Sequence, residues 1–161
     1  MLEILYQDRY LVAINKPSGL LVYKSPIDKK ETRFALQLVR DQIGEFVYPI
    51  HRLDKPTSGV LIFALSSEVA KLMSDIFKSH KIEKEYIAVV RGYTKNSELI
   101  DYDLKLLLDK KAVELPFAVS RYPVARYSLI KLLPQTGRKH QLRRHLKHIF
   151  HRSTKLTQTY L

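Results

Sequence analysis

One carboxylate, Asp54, stands between two cations in the run His51-Arg52-Leu53-Asp54-Lys55-Pro56-Thr57-Ser58-Gly59, directly ahead of the apolar stretch Val60 to Leu65. Pro56 fixes its own φ and disfavours helix at Lys55, and Ser58 with Gly59 supply turn chemistry, so residues 54–59 are expected to form a rigid bend. A side chain on such a bend is well aimed. The charges of Arg52 and Lys55 favour the ionised, nucleophilic form of the carboxylate. The same composition also describes a solvated aspartate that merely caps a turn, so these residues alone leave a reactive acid and an ordinary turn both open. A hydrolase or glycosidase built on Asp54 would need a second carboxylate as acid or base, and the basic C-terminal segment supplies none.

The second concentration of chemistry is basic. Lys and Arg number 28 against 16 Asp and Glu, a net charge of +12, and the sequence pI is about 9.8. No acidic residue follows Glu114, whereas Arg121, Arg126, Lys131, Arg138, Lys139, Arg143, Arg144, Lys147, Arg152 and Lys155 all do. A basic face can serve solubility only, but an unopposed block of this size is the footprint of a polyanionic partner, and RNA contact is the expectation. Within it, Thr136 can cap a helix whose Leu142, Leu146 and Ile149 point inward while Lys139, Arg143 and Lys147 recur on another face. Backbone N–H groups at such a helix start attract phosphate. His140, His145, His148 and His151 raise the question of zinc, yet the surrounding positive charge and the lack of carboxylates in that segment argue against a site. With no cysteine in the chain, disulfides and thiolate chemistry are excluded. Neither metal nor cofactor is expected.

The elements that must position these groups are mixed. A chain of 161 residues with 45% hydrophobic composition can bury a core and is expected to form one domain. Leu2 to Tyr6, Tyr10 to Asn15 and Leu20 to Tyr23 read as short strands separated by turns. Thr32 to Ile43 carries Phe34, Leu38 and Val39 at helical spacing, with Gly44 as a stop. Val60 to Leu65 is expected as a buried strand. Ser66 or Ser67 can cap the next helix, with Glu68 in its first turn and Val69, Leu72, Met73, Ile76 and Phe77 as its apolar stripe. Glu85 to Val90, Leu99 to Leu104, Phe117 to Val119 and Arg126 to Leu133 are further strand candidates. Short turns and helices both join the strands, so the sheet should be mixed and largely antiparallel, flanked by helices: an α+β fold.

Four segments, in order, carry a resemblance. HRLDKPTSGVLIFA at 51–64 resembles the aspartate motif of the RluA-type pseudouridine synthases. NKPSGLLV at 15–22 is similar to that family's first motif, KEYIAVVRG at 84–92 to the segment bearing its active-site tyrosine, and TGRKHQLRRHL at 136–146 to its last motif. The opening MLEILYQDRYLVAINKPSGLLV, RDQIG at 40–44 and the wording GRKHQLRRHL further resemble the branch of the family that modifies uridine 65 of tRNA.

The resemblance implies a pseudouridine synthase catalytic fold and an isomerase that flips a uridine out of folded RNA, since the glycosidic bond is otherwise hidden. It assigns Asp54 as the nucleophile, Tyr86 as the contact for the extruded base and Arg143 as the cation paired with Asp54. Arg52 could occupy the gap left in the RNA, and Arg138, Lys139 and Arg144 are RNA-contact candidates. Without the motif, Tyr86 reads equally as core packing, and any one of these arginines as nonspecific phosphate binding. Lys16 and Pro17 are expected to shape the sheet edge rather than perform chemistry. The implied partner is tRNA, with rRNA left open because related enzymes share these motifs. No membrane or protein partner is implied, and a cytoplasmic monomer is expected. An RNA-binding protein of the same fold with little activity is the alternative. The stretch Leu106 to Ala118 is shorter than the family's counterpart, and the chain after His151 departs from the family pattern, so the C-terminal part is expected to be incomplete.

Overall fold

The computed structural model describes residues 1–24, 30–79, 81–91, 99, 127–138 and 140–150. Among these, strands β1 (Glu3–Gln7), β2 (Leu11–Lys16), β3 (Tyr48–Pro49) and β4 (Gly59–Ala64) form one antiparallel sheet in the order β1-β2-β4-β3. The β1–β2 connection is built by Asp8, whose carboxylate accepts the Tyr10 and Leu11 N–H groups at 2.8 and 2.7 Å, a side-chain turn that mimics backbone. β2 lies at the centre, paired on both edges, and Val12 and Ile14 are fully buried there. On β4 the two-residue period puts Leu61 and Phe63 into the same core.

Helix α1 (Ala35–Ile43) covers this core with Ala35 and Val39, and it ends at Gly44 in the left-handed conformation, φ 76°, as the sequence predicts. Its start differs from the expected Thr32. Phe34 occupies the N-cap without a side-chain cap, and the free N–H groups of Ala35 and Leu36 instead donate to the carbonyls of Leu21 and Val22 at 2.8 and 3.0 Å. That arrangement also explains why Leu20 to Tyr23 is not a strand. Its polar backbone is committed to a helix end, and only an isolated bridge from Leu21 to Phe34 remains. Helix α2 (Ser67–Lys78) is capped by Ser66, whose hydroxyl accepts the Val69 N–H at 3.2 Å. Its expected apolar stripe packs only in part, and Leu72 is 62% exposed.

The second sheet pairs β5 (Tyr86–Arg91) with β6 (Tyr127–Leu132), antiparallel, Tyr86 opposite Leu132. Helix α3 (Gln141–Phe150) lies against it through Leu146, 1% exposed, and Leu142, which meet Ala88, Ile130 and Leu132. The inward face predicted for this helix is therefore correct at Leu142 and Leu146. Thr136 is not its cap: the helix begins at Gln141, and the Thr136 hydroxyl donates to the Gln141 side chain at 2.7 Å. The expected strands at 99–104 and 117–119 fall outside the described residues, save for Leu99, which is exposed.

Candidate active site

The turn carrying Asp54 is fastened from below by a lysine. Lys16, at the end of β2, has no solvent exposure, and its Nζ donates to the carbonyls of Leu20 at 2.8 Å, Pro17 at 3.0 Å and Lys55 at 3.4 Å. Burial pushes its pKa down to about 8, against the pull of the Asp54 charge. The Gly19 N–H also donates to Lys55 O at 2.8 Å, and Ser18 Oγ to Pro56 O at 2.8 Å. NKPSG at 15–19 and DKP at 54–56 are thus one structural unit, which refines the sheet-edge role expected for Lys16. Within the bend the Thr57 N–H closes a turn onto Asp54 O at 2.9 Å, and Gly59 leaves it at φ 121°. Leu53 is buried in the core, so its neighbours Arg52 and Asp54 face away from it into a cleft.

His51 fixes the other end of the segment. Its Nε2 accepts the Ile62 N–H at 3.2 Å and its ring stacks on Phe77 at 5.0 Å. Burial of the ring, with the Lys84 charge adding to it, pushes the imidazole pKa down to about 4, so the ring is neutral and able to accept that bond.

The cleft brings Arg52 and Asp54 from this loop together with Tyr86 of β5, Arg138 and His140 of the turn before α3, and Arg143 of its first turn. Tyr86 packs against the core of the first sheet while also lining the cleft. Burial and the Asp54 charge raise its phenol pKa. Lys55, expected to support Asp54 electrostatically, pairs through its Nζ with Glu31 at 2.6 Å. Among the described residues the basic side chain within 4.0 Å of the Asp54 carboxylate is His140, Nε2 to Oδ1 at 3.6 Å; Arg143 lines the same cleft without such a contact. Arg144 lies outside the cleft lining, and Lys139 lies outside the described residues. The turn that delivers His140 and Arg138 is held by Gln141 Oε1, which accepts from Thr136 Oγ1 at 2.7 Å and from the Arg138 N–H at 2.9 Å. His140, Lys16, His51 and Gln141 are the site residues that sequence reasoning missed. Their nearness to the motif residues was a signal for each, but their partners are distant in sequence.

A carboxylate on a stiff turn, an aromatic beside it and guanidinium groups around it suit nucleophilic chemistry in which negative charge develops. The family comparison agrees: the profile of the RNA pseudouridylate synthase family matches residues 10–148, and the chain belongs to that family, among its RluA-type members. Its particular likeness is to tRNA pseudouridine synthase C. The Haemophilus influenzae protein of that name is 54% identical, with 94% of this chain and 72% of the relative covered. The Pasteurella multocida one is 54% identical, at 93% and 71% coverage, and the Vibrio cholerae one 49%, at 94% and 71%. The first alignment runs over 173 positions, more than the 161 residues present here, so the relative carries positions without counterpart in this chain. Among solved structures, human RNA pseudouridylate synthase domain containing 4 superposes with a TM-score of 0.60 at 24% identity, over 94% of this chain and 66% of that one. Human RNA pseudouridylate synthase domain containing 1 gives 0.62 at 20% identity, over 96% and 67%. Both share the fold.

Proposed function

We propose that this chain converts a uridine of tRNA to pseudouridine, with Asp54 as nucleophile; the branch resemblance points to position 65. The reaction is an isomerisation: the N1–C1′ bond breaks, C5 of the turned base bonds to C1′, and no atom is gained or lost. Asp54 forms the transient bond to the nucleoside. Tyr86 replaces the stacking that the flipped base gives up. Arg143 stabilises the negative charge that develops on the detached uracil, while Arg52 fills the gap in the RNA and Arg138, Arg144 and Lys139 contact phosphates. No redox equivalent or metal is required by this chemistry. The protein acts as a cytoplasmic monomer of one catalytic domain, without a protein partner.

The observation that carries this reading is the convergence of Asp54, Tyr86 and Arg143, from three separate motifs, on one cleft. It is tested by incubating the chain with an unmodified tRNA transcript and mapping pseudouridine. Product from the intact chain, lost in Asp54→Asn while RNA binding persists, is expected. No product from the intact chain, with binding retained, would replace the enzyme by an RNA-binding protein of the same fold. Product in rRNA but not tRNA would correct the substrate alone.

A further inference from the structure

Isomerisation of uridine leaves one proton to be moved. When C5 has bonded to C1′ it still carries its hydrogen, and the ring regains its C5=C6 double bond only after a base takes that proton and N1 gains one. The atom balance is closed: the electron pair of the C5–H bond returns to the ring, Asp54 departs with the pair of its own bond, and the proton removed is matched by the proton that N1 acquires from solvent. The base has to stand close to C5 as it bonds C1′, and therefore close to the Asp54 carboxylate that bonded the nucleoside.

Among the described residues of the cleft, the titratable and charged groups are Arg52, Asp54, Tyr86, Arg138, His140 and Arg143. Guanidinium groups have no acceptor. Tyr86 is a phenol whose ionisation burial and the Asp54 charge oppose. Asp54 is free again once the new bond forms, but a carboxylate is a weaker base than an imidazole. His140 remains. Its Nε2 lies 3.6 Å from Asp54 Oδ1, and its ring, 43% exposed, opens to the cleft. Imidazole is the side chain best matched to taking a proton near neutral pH.

The backbone reinforces the assignment. His140 has φ +54°, and among the described residues it alone, glycines aside, takes a positive φ. L-residues adopt this conformation uncommonly and glycine freely. Here it sits at the entry of α3, with its carbonyl accepting the Arg144 N–H at 3.0 Å and the preceding turn held by Gln141. Strain of this kind collects where a side chain has to be aimed.

We propose that His140 is a further catalytic residue, the base that removes the C5 proton. The assignment rests on the synthase reading above. Its test uses the full chain, a tRNA transcript made with 5-tritiated or 5-deuterated uridine, and two variants. His140→Gly suits the positive φ and leaves space for free imidazole. His140→Asn tolerates the same backbone and keeps a polar contact to Asp54 but cannot take a proton. Unchanged melting and RNA affinity establish that both are folded. Both variants are expected to release tritium and form product on the order of 100-fold more slowly, to be slowed further by deuterium at C5, and, for His140→Gly, to recover rate when imidazole is added. Wild-type rates in His140→Gly would overturn the assignment. So would a loss restored by Asn, or a loss with neither imidazole rescue nor isotope effect, either of which would make His140 a positioning residue for Asp54. Product from the intact chain separates the two readings: without it the synthase reading fails and the base with it, whereas with it only the base is at stake.

Discussion

Lys16 offers the sharpest test of how the Asp54 turn is held. Lowering a lysine pKa from 10.5 to about 8 corresponds to about 3 kcal/mol of unfavourable burial at neutral pH. Against this, hydrogen bonds to a charged group contribute about 1.5–3 kcal/mol each, and two of the three to Lys16 Nζ are short, 2.8 and 3.0 Å. The terms nearly cancel, as is common for buried charges, so Lys16→Met should cost only about 0–3 kcal/mol at pH 7. The pH dependence discriminates further. The folded chain holds the Lys16 proton less tightly than the unfolded chain, so between about pH 8 and pH 10.5 the unfolded state binds more protons and the Lys16 contribution to stability rises with pH. Methionine binds none. Urea unfolding at intervals from neutrality to pH 10.5 should therefore show the wild-type protein gaining about 3 kcal/mol on Lys16→Met across that window. A gap that stays constant would refute the reasoning, because it would mean that the ammonium is solvated and not shut beneath the turn. In the same variant turnover should fall more than stability, since the tie to Lys55 O next to Asp54 is lost.

Three further outcomes are expected. The depressed pKa of His51, about 4 against an ordinary 6.5, means that the unfolded chain takes up the proton first as pH falls, so its stabilising contribution is complete above pH 6.5 and lost, by up to about 3 kcal/mol, on the way down to pH 4; the stability gap between wild type and His51→Gln should narrow over that range. Leu146→Ala should cost about 2–5 kcal/mol in urea unfolding and lower activity as α3 loosens, whereas Leu72→Ala on the exposed face of α2 should stay within about 0.5 kcal/mol. Arg138→Gln should weaken tRNA binding and, by removing one phosphate contact, reduce the slope of log affinity against log salt by about 1.

What the chain discloses before folding depends on how far each residue's partner lies. Gly44 and Ser66 act on backbone within a turn of themselves, and both ends they mark are found where the sequence puts them. Leu20 to Tyr23 has strand composition, but its carbonyls go to the start of α1, a choice that no local pattern records. The β3 strand is two residues long and carries no periodicity at all. Thr136 has the right type for a cap, yet the side-chain amide of Gln141, five residues later, takes its hydroxyl. Asp54 could be picked out because proline and glycine follow it closely and two cations flank it. Its electrostatic surroundings could not: Lys55, adjacent in sequence, pairs with Glu31, and His140 reaches Asp54 from the far end of the chain.

The same distinction explains why the cleft depends on two cores. Asp54 and Arg52 are oriented by Leu53, Lys16 and His51, all anchored in the four-stranded sheet, whereas Arg138, His140 and Arg143 are oriented by α3, which is anchored on β5 and β6 through Leu146 and Ala88. Tyr86 belongs to both, since it starts β5 yet packs on the core of the other sheet. A small shift of one core against the other would separate the carboxylate from the imidazole and guanidinium groups while leaving every motif locally intact. Packing at Tyr86 therefore sets the width of the cleft, and the aromatic proposed to meet the flipped base also joins the two halves of the site.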